Sequence, residues 1–371
     1  PTHWVDDKGS AFLNPWPSWR AHSFTEFPNL AWTMSTQSPK IPKDINTLLP
    51  VRKPTWGRPE DKDKIQATWL GHACFFLELP VSGDAPRGIR ILFDPVFSDR
   101  CSPSQFVGPK RYTDIPCPIE SIPEVDAVVI SHNHYDHLDT HTITTLLKRV
   151  PQPHFFAPLG NAEYFASLNA PPDHVHILDW WQSKRLEVDF PSSSSPSNTT
   201  TTTSAADITC TPAQHMTGRG LSDRFKSLWS SWAIRAVSDR SLPANQGSGV
   251  KAWFGGDTGY RAVHPGKKLE ELPICPVFKE IGEKFGGFDF AMIPIGAYLP
   301  RHFMSPMHCD PSDSVCVFKD VGAKKALGMH WGAWILTTED IMDPPKDLAK
   351  ECKKVGIEEG QFGVCEIGET V

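Results

Sequence analysis

The 371-residue chain has no apolar run long enough to cross a membrane as a helix. Its longest, "VDAVVI" (125–130) and "FAMIPIGAYLP" (290–300), fall well short of the roughly 20 residues a span needs. Among nine cysteines there is no CxxC pair, which argues against a zinc ribbon and against a dense disulfide framework. We read the thiols as mostly reduced, as in an intracellular protein. Basic excess is also missing: 37 Lys and Arg stand against 43 Asp and Glu, scattered along the chain, so no nucleic acid partner is expected. No internal repeat is visible. With 39% hydrophobic and 22% charged residues, the composition is that of an ordinary globular protein with ample core. The chain opens at Pro1 rather than Met, so a fragment or processed form is expected.

Proline and tryptophan are plentiful, at 35 and 13 residues. Trp4, Trp16, Trp19 and Trp32 fall in a Pro- and aromatic-rich stretch, residues 1–64, that shows no sustained helical or strand period. It reads as an N-terminal arm laid over the domain, its tryptophans serving as packing anchors or as a surface that dips into lipid headgroups. Residues 65–371 read as one catalytic domain. β-like runs recur at "IQATWL", "CFFLEL", "IRILFD", "VDAVVI", "AWFGGD", "FDFAMIPI" and "KALGMHW". "THTITTLLKRV" (140–150), with threonine at its cap, and "DPSDSVCVFKDVG" (310–322) read as helices. Flexible insertions are expected at about 191–206, a Ser/Thr tract, and 238–249. Mixed β and α elements in this order favour a layered α/β domain.

The chemistry concentrates in "SHNHYDHLD" (131–139), directly after a strand-like run. Crowding ionisable groups this closely is costly unless a cation compensates. His132 and His134, one residue apart, can converge on one metal; Asp136 and His137 can face a second a few ångströms away. Imidazole nitrogen and carboxylate oxygen are standard zinc donors. His215 in "PAQH", Asp257 in "GGDTGY" and His330 in "GMHWGAW" complete an inventory of five histidines and two aspartates, enough for two metals bridged by one carboxylate.

This order of motifs resembles the metallo-β-lactamase superfamily of binuclear zinc hydrolases. Within it, "NPWPSW", "TWLGHA", "SPSQFVGPKR", "SHNHYDHLD", "PAQH", "GGDTGY", "GAYLPRHFM" and "MHWGAW" resemble the N-acylphosphatidylethanolamine-hydrolysing phospholipases D over nearly the whole chain. The resemblance implies an αβ/βα sandwich of two mixed sheets flanked by helices. It assigns His132, His134 and His215 to one Zn2+, Asp136, His137 and His330 to a second, and Asp257 as the bridge. It implies attack of a metal-bridging hydroxide on phosphorus, releasing N-acylethanolamine from phosphatidic acid. No HxK(x)₄D motif of the other phospholipase D type is present. Asp136 is then a candidate to hold or pass the proton. His308 is a candidate for catalysis or substrate contact, Gln105 and Phe106 for the phosphate end, and His72 for support of the site. The family's pattern carries Tyr at position 106 and Trp at 216, where this chain has Phe106 and Met216. A membrane phospholipid substrate, peripheral association with internal membranes (cytoplasmic face or mitochondrial) and a homodimer are the expected partners and place. Other phosphodiesters or lactones are the alternative substrates, and a metal- and lipid-binding protein that has lost catalysis is the non-enzyme alternative. His3, His22, His141, His154, His174, His176, His264 and His302 are expected to lack convergent partners.

Overall fold

The computed structural model describes residues 1–23, 25–191, 201–220 and 222–371. Two mixed sheets stack face to face. The first holds β1 (Gln66–Trp69), β2 (Phe75–Glu78), β3 (Arg90–Phe93), β4 (Ala127–Val129), β5 (His154–Pro158) and β6 (Val175–Leu178), in that spatial order. The second holds β7 (Ser183–Pro191), β8 (Thr201–Thr211), β9 (Ser231–Val237), β10 (Lys251–Phe254), β11 (Phe290–Pro294), β12 (Ala326–Met329) and β13 (Phe362–Gly363), again with chain neighbours side by side. Each sheet begins antiparallel and turns parallel: β1, β2 and β3 alternate in direction and β3 to β6 run together, and in the second sheet the change comes at β10.

The helices are α1 (Glu26–Gln37), α2 (Ile45–Leu48), α3 (Thr140–Leu146), α4 (Ala162–Ser167), α5 (Val277–Phe285), α6 (Arg301–Met304), α7 (Pro311–Asp320) and α8 (Asp343–Lys354). They flank the sheets because the strands are apolar on both faces. In β3, Ile91 and Phe93 face the core between the sheets while Leu92 faces a second core that includes Ile143 and Leu146 of α3. β4 alternates in the same way, with Ala127 and Val129 inward and Val128 outward. Phe93 stacks on Phe254 across the gap, centroids 4.7 Å apart. Over the other sheet, Phe278 of α5 sets its edge against Trp253 of β10. All nine cysteine thiols are free.

Three expectations need correction. The cap of α3 is Asp139, whose carboxylate accepts from the Thr142 N–H, rather than a threonine. The supposed flexible insertion at 191–206 is, from Thr201 onward, the first half of β8, paired with β7; Ser/Thr composition is compatible with a strand once a partner supplies the ladder. Residues 192–200 lie outside the described residues. The arm is only partly an arm. Phe12 is buried and Trp16 stacks on Trp180 at 5.4 Å, yet 26–37 form a helix with no buried residue, which explains the missing apolar period.

Candidate metal centre

Every ligand candidate follows the C-terminal end of a strand on one edge of the sandwich. His132, His134, Asp136 and His137 leave β4, His215 leaves β8, Asp257 leaves β10 and His330 leaves β12. Gly256 permits the approach of the β10 end: its φ is +57°, and a Cβ there would sit 2.7 Å from the Cβ of Ser131.

The seven side chains meet in two clusters. In one, His132 Nε2 and His215 Nε2 lie 2.9 and 3.3 Å from His134 Nδ1, and 3.7 and 3.6 Å from Asp257 Oδ2. In the other, His137 Nε2 and His330 Nε2 are 3.2 Å apart, and each is 3.4 Å from Asp136 Oδ2. Asp257 also belongs to this second group, with Oδ2 3.1 Å from His137 and Oδ1 3.0 Å from His330. The central carboxylate therefore faces both. Nitrogens bound to one tetrahedral zinc are about 3.3 Å apart, so the spacing suits a shared cation. Asp257 Oδ1 is buried and, despite the close His330, has no hydrogen bond of acceptable geometry. Bare imidazole and carboxylate donors aimed at common points are what a divalent metal requires.

The electrostatics agree. Burial, with the neighbouring imidazoles, pushes His132 well below the usual range, and burial does the same to His215. Both therefore present a lone pair. Burial would raise the Asp257 carboxyl, but His137 and His330 hold it well below the usual carboxylate range. Burial would likewise lower His330, but Asp257 and Asp136 carry it up to about 9. The positive charge wanted by these carboxylates is the charge a cation supplies.

Around the ligands is a shell that orients them. Asp94, at the end of β3, accepts from His137 Nδ1 at 2.6 Å and from the Ser131 N–H and hydroxyl at 2.7 and 2.5 Å, which turns His137 Nε2 toward the cluster. His132 Nδ1 is 2.8 Å from the Ser131 hydroxyl. His215 Nδ1 donates to the Met307 carbonyl at 2.9 Å. His72 is in contact, its Nε2 3.0 Å from Asp136 Oδ2. His72, Asp94 and His330 hold φ of +53°, +36° and +65°, backbone strain of about 1–3 kcal/mol each that the surrounding packing sustains. The arm reaches here too: Asn14 donates to the His215 carbonyl at 2.7 Å, and Ser18 donates to the Gln214 side chain at 2.5 Å. That is the structural use of "NPWPSW".

His134 and Asp136 are only half-buried and form the accessible side. His308 lies behind them, its Nδ1 4.0 Å from Asp257 Oδ2 and without a hydrogen bond; burial lowers it to about 3. Gln105 spends its amide on its own loop, exchanging two 3.0 Å bonds with the backbone of Arg100, and Phe106 is 91% exposed at the tip. Next to that loop a cavity of about 450 Å³ is lined by Gln105, Tyr135, Asp139, His141 and Arg219.

Sequence reasoning passed over Asp94, although "LFDP" ends its strand as "VVIS" does. It also missed several histidine partnerships. His154 stacks on His174 and His176 at 4.3 and 5.2 Å, His3 pairs with Asp179 at 2.7 Å, and His22 stacks on Phe303 at 3.8 Å. Each partner is distant in sequence or on a neighbouring strand, out of reach of a local motif.

Residues 89–331 match the beta-lactamase superfamily domain. The chain is 35% identical over 336 residues, 89% of its length and 82% of the relative's, to N-acyl-phosphatidylethanolamine-hydrolyzing phospholipase D 1 of Caenorhabditis elegans. It belongs to this phospholipase D family of the metallo-β-lactamase superfamily. It is also 28% identical, over 91% of its length and 70% of the relative's, to the yeast N-acyl-phosphatidylethanolamine-hydrolyzing phospholipase D, mitochondrial, of Saccharomyces cerevisiae. Among solved structures, a possible metal-dependent hydrolase from Veillonella parvula shares the fold, with TM-score 0.55, 16% identity and coverage of 83% of this chain and 99% of that one. The expected sandwich is the observed one, and the chain is a metal-dependent hydrolase of that fold.

Proposed function

We propose that the protein is a two-zinc phosphodiesterase that hydrolyses N-acylphosphatidylethanolamine to N-acylethanolamine and phosphatidic acid. The observation that carries this is the pair of donor clusters sharing Asp257, found in a chain of the phospholipase D family. Zinc held by His132, His134 and His215 and by Asp136, His137 and His330, with Asp257 shared, would supply a hydroxide nucleophile near neutral pH and offset the charge on the phosphodiester oxygens.

Hydrolysis adds one water across the phosphorus–oxygen bond to the N-acylethanolamine. The water's oxygen stays with phosphatidic acid, and a proton must reach the departing alkoxide. Asp136 takes that role in our reading: it lies on the accessible side of the centre, and its Oδ2 faces His72, His137 and His330 while Oδ1 is left for the proton. His308, buried beside Asp257, borders the reacting phosphate as a neutral donor. Exposed Trp32 of α1 (69%) and Phe106 with Val107 supply apolar contact with a lipid surface. Through these side chains we assign peripheral attachment to an internal membrane; no helix among the described residues is long and apolar enough to cross a membrane.

The test is turnover of N-acylphosphatidylethanolamine, plain phosphatidylethanolamine and a small lactone, with products read by mass and metal content measured in parallel. N-acylethanolamine released from the first lipid alone, by protein with about two zinc ions per chain, is the expected result. Turnover of the lactone, or of nothing, overturns the substrate. Asp136→Asn with zinc retained should lose most turnover, and full activity would remove Asp136 from the proton path.

A further inference from the structure

The residues after His215, 217–220 and 222–225, have no part in the ligand set, yet Gly218 and Arg219 are bonded to the loop that supplies four of the seven ligands. Gly218 sits at φ +149°, where a Cβ would be 3.2 Å from the Cα of Arg224, and its N–H donates to the Asn133 side chain at 3.0 Å. The Asp223 carboxylate accepts from the N–H groups of Arg219 and Gly220 at 2.8 and 2.7 Å, which fixes the backbone from which Arg219 projects.

From there the guanidinium spans the ligand loop. Its Nη1 donates to the carbonyl of Asn133 at 3.0 Å and to that of Leu138 at 2.7 Å. Those two residues bracket His134, Asp136 and His137. The guanidinium carbon also lies over the Tyr135 ring, 3.9 Å from its centroid, and 5.5 Å from that of Tyr164. One group therefore holds both ends of the loop and the ring at its middle.

We propose that Arg219 is a positioning residue of the metal centre: it sets the spacing of His134, Asp136 and His137 and ties their loop to the segment that carries His215. Loops on their own tolerate small changes of shape, and metal ligands do not. A clamp that shares hydrogen bonds between residues 133 and 138 converts a flexible turn into a fixed set of donors. Lysine cannot replace it. Both carbonyl bonds leave the one nitrogen Nη1, which an ammonium could imitate, but a compact, strongly hydrated point charge on a flexible stem cannot at the same time stack a delocalised group over the Tyr135 ring.

The test uses the metal-loaded protein and needs no lipid, so it stands apart from the substrate reading above. Arg219→Lys, Arg219→Met and Asp223→Asn are compared with the parent chain for zinc affinity by chelator competition, for the visible spectrum of the cobalt-substituted protein, and for thermal midpoint. Both Arg219 variants should bind metal about 10- to 100-fold more weakly and show a changed cobalt spectrum, Asp223→Asn following in the same direction by a smaller factor. If Arg219→Met does not fold, Arg219→Lys and Asp223→Asn decide the matter. A lowered midpoint with unchanged zinc affinity and an unchanged cobalt spectrum would overturn the proposal, because it would make Arg219 a support for the fold alone.

Discussion

Two groups of histidines in this molecule gather near opposite ends of β4 and are built differently. The metal centre gathers five imidazoles around Asp136 and Asp257 beyond the C-terminal end of β4. The second group, His154, His174 and His176, begins where β4 begins, since His154 pairs in register with Ala127. In the first group the nitrogens converge with a carboxylate in every cluster, even where the rings lie nearly parallel, as those of His137 and His330 do at 14°. In the second the rings lie nearly parallel, 13° and 22° apart, His176 rests on Phe156, and the one short nitrogen contact is 3.1 Å between His154 Nδ1 and His176 Nε2. The trio is half-buried, with Lys184 as a charged neighbour that disfavours protonation. The difference is that histidine density alone does not make a metal site. Interleaved carboxylates, ring edges turned inward by outer hydrogen bonds, and a position past the strand ends do.

The comparison breaks most sharply at Asp257. Asp257→Asn removes the shared negative charge from both clusters, and activity should fall about a thousandfold or more as several kcal/mol of charge stabilisation are lost. Zinc content measured on the same sample should drop with it; a variant that keeps its metals and its turnover would show that the carboxylate is not the bridge.

Asp94→Asn should cost less. His137 keeps a partner but loses a charged one, and a loss of about 10- to 100-fold in metal affinity is expected. Chelator titration reads it, and unchanged affinity would reduce Asp94 to a core residue.

The smallest effect belongs to the second group. Burial, with His154, Lys184 and His174, lowers His176 to about 4 in the folded chain against an ordinary value of 6.5. A group whose folded pKa is depressed takes up its proton more readily when unfolded. Its contribution to stability is complete above pH 6.5 and is lost as pH falls toward about 4. His176→Gln should therefore flatten the fall of the thermal midpoint across that window and leave zinc content and turnover as they were. A loss of metal in this variant would erase the distinction between the two groups.

Much of the centre was legible because its ligands are dense in sequence. HxHxDH announces itself, and Asp257 and His330 sit at the ends of strands whose apolar runs are plain. The apolar runs of β1 to β4 and of β10 to β12 could be read as strands, whereas β5 to β9 and β13 were not. What could not be read depends on contacts between distant segments. Asp94 is 37 residues from Ser131 and 43 from His137, so nothing local marks it. Asn14 and Ser18 support His215 and Gln214 across 201 and 196 residues. α1 escaped notice because it buries nothing, and the Thr201–Ala206 half of β8 because its composition resembles a linker until β7 pairs with it.

The most direct test of the central claim is anomalous diffraction at the zinc edge from crystals of the protein as purified. The account predicts two peaks per chain, about 3.5–4 Å apart, one on each side of the Asp257 carboxylate. A single peak at the centre, or a peak between His154 and His176, would contradict it.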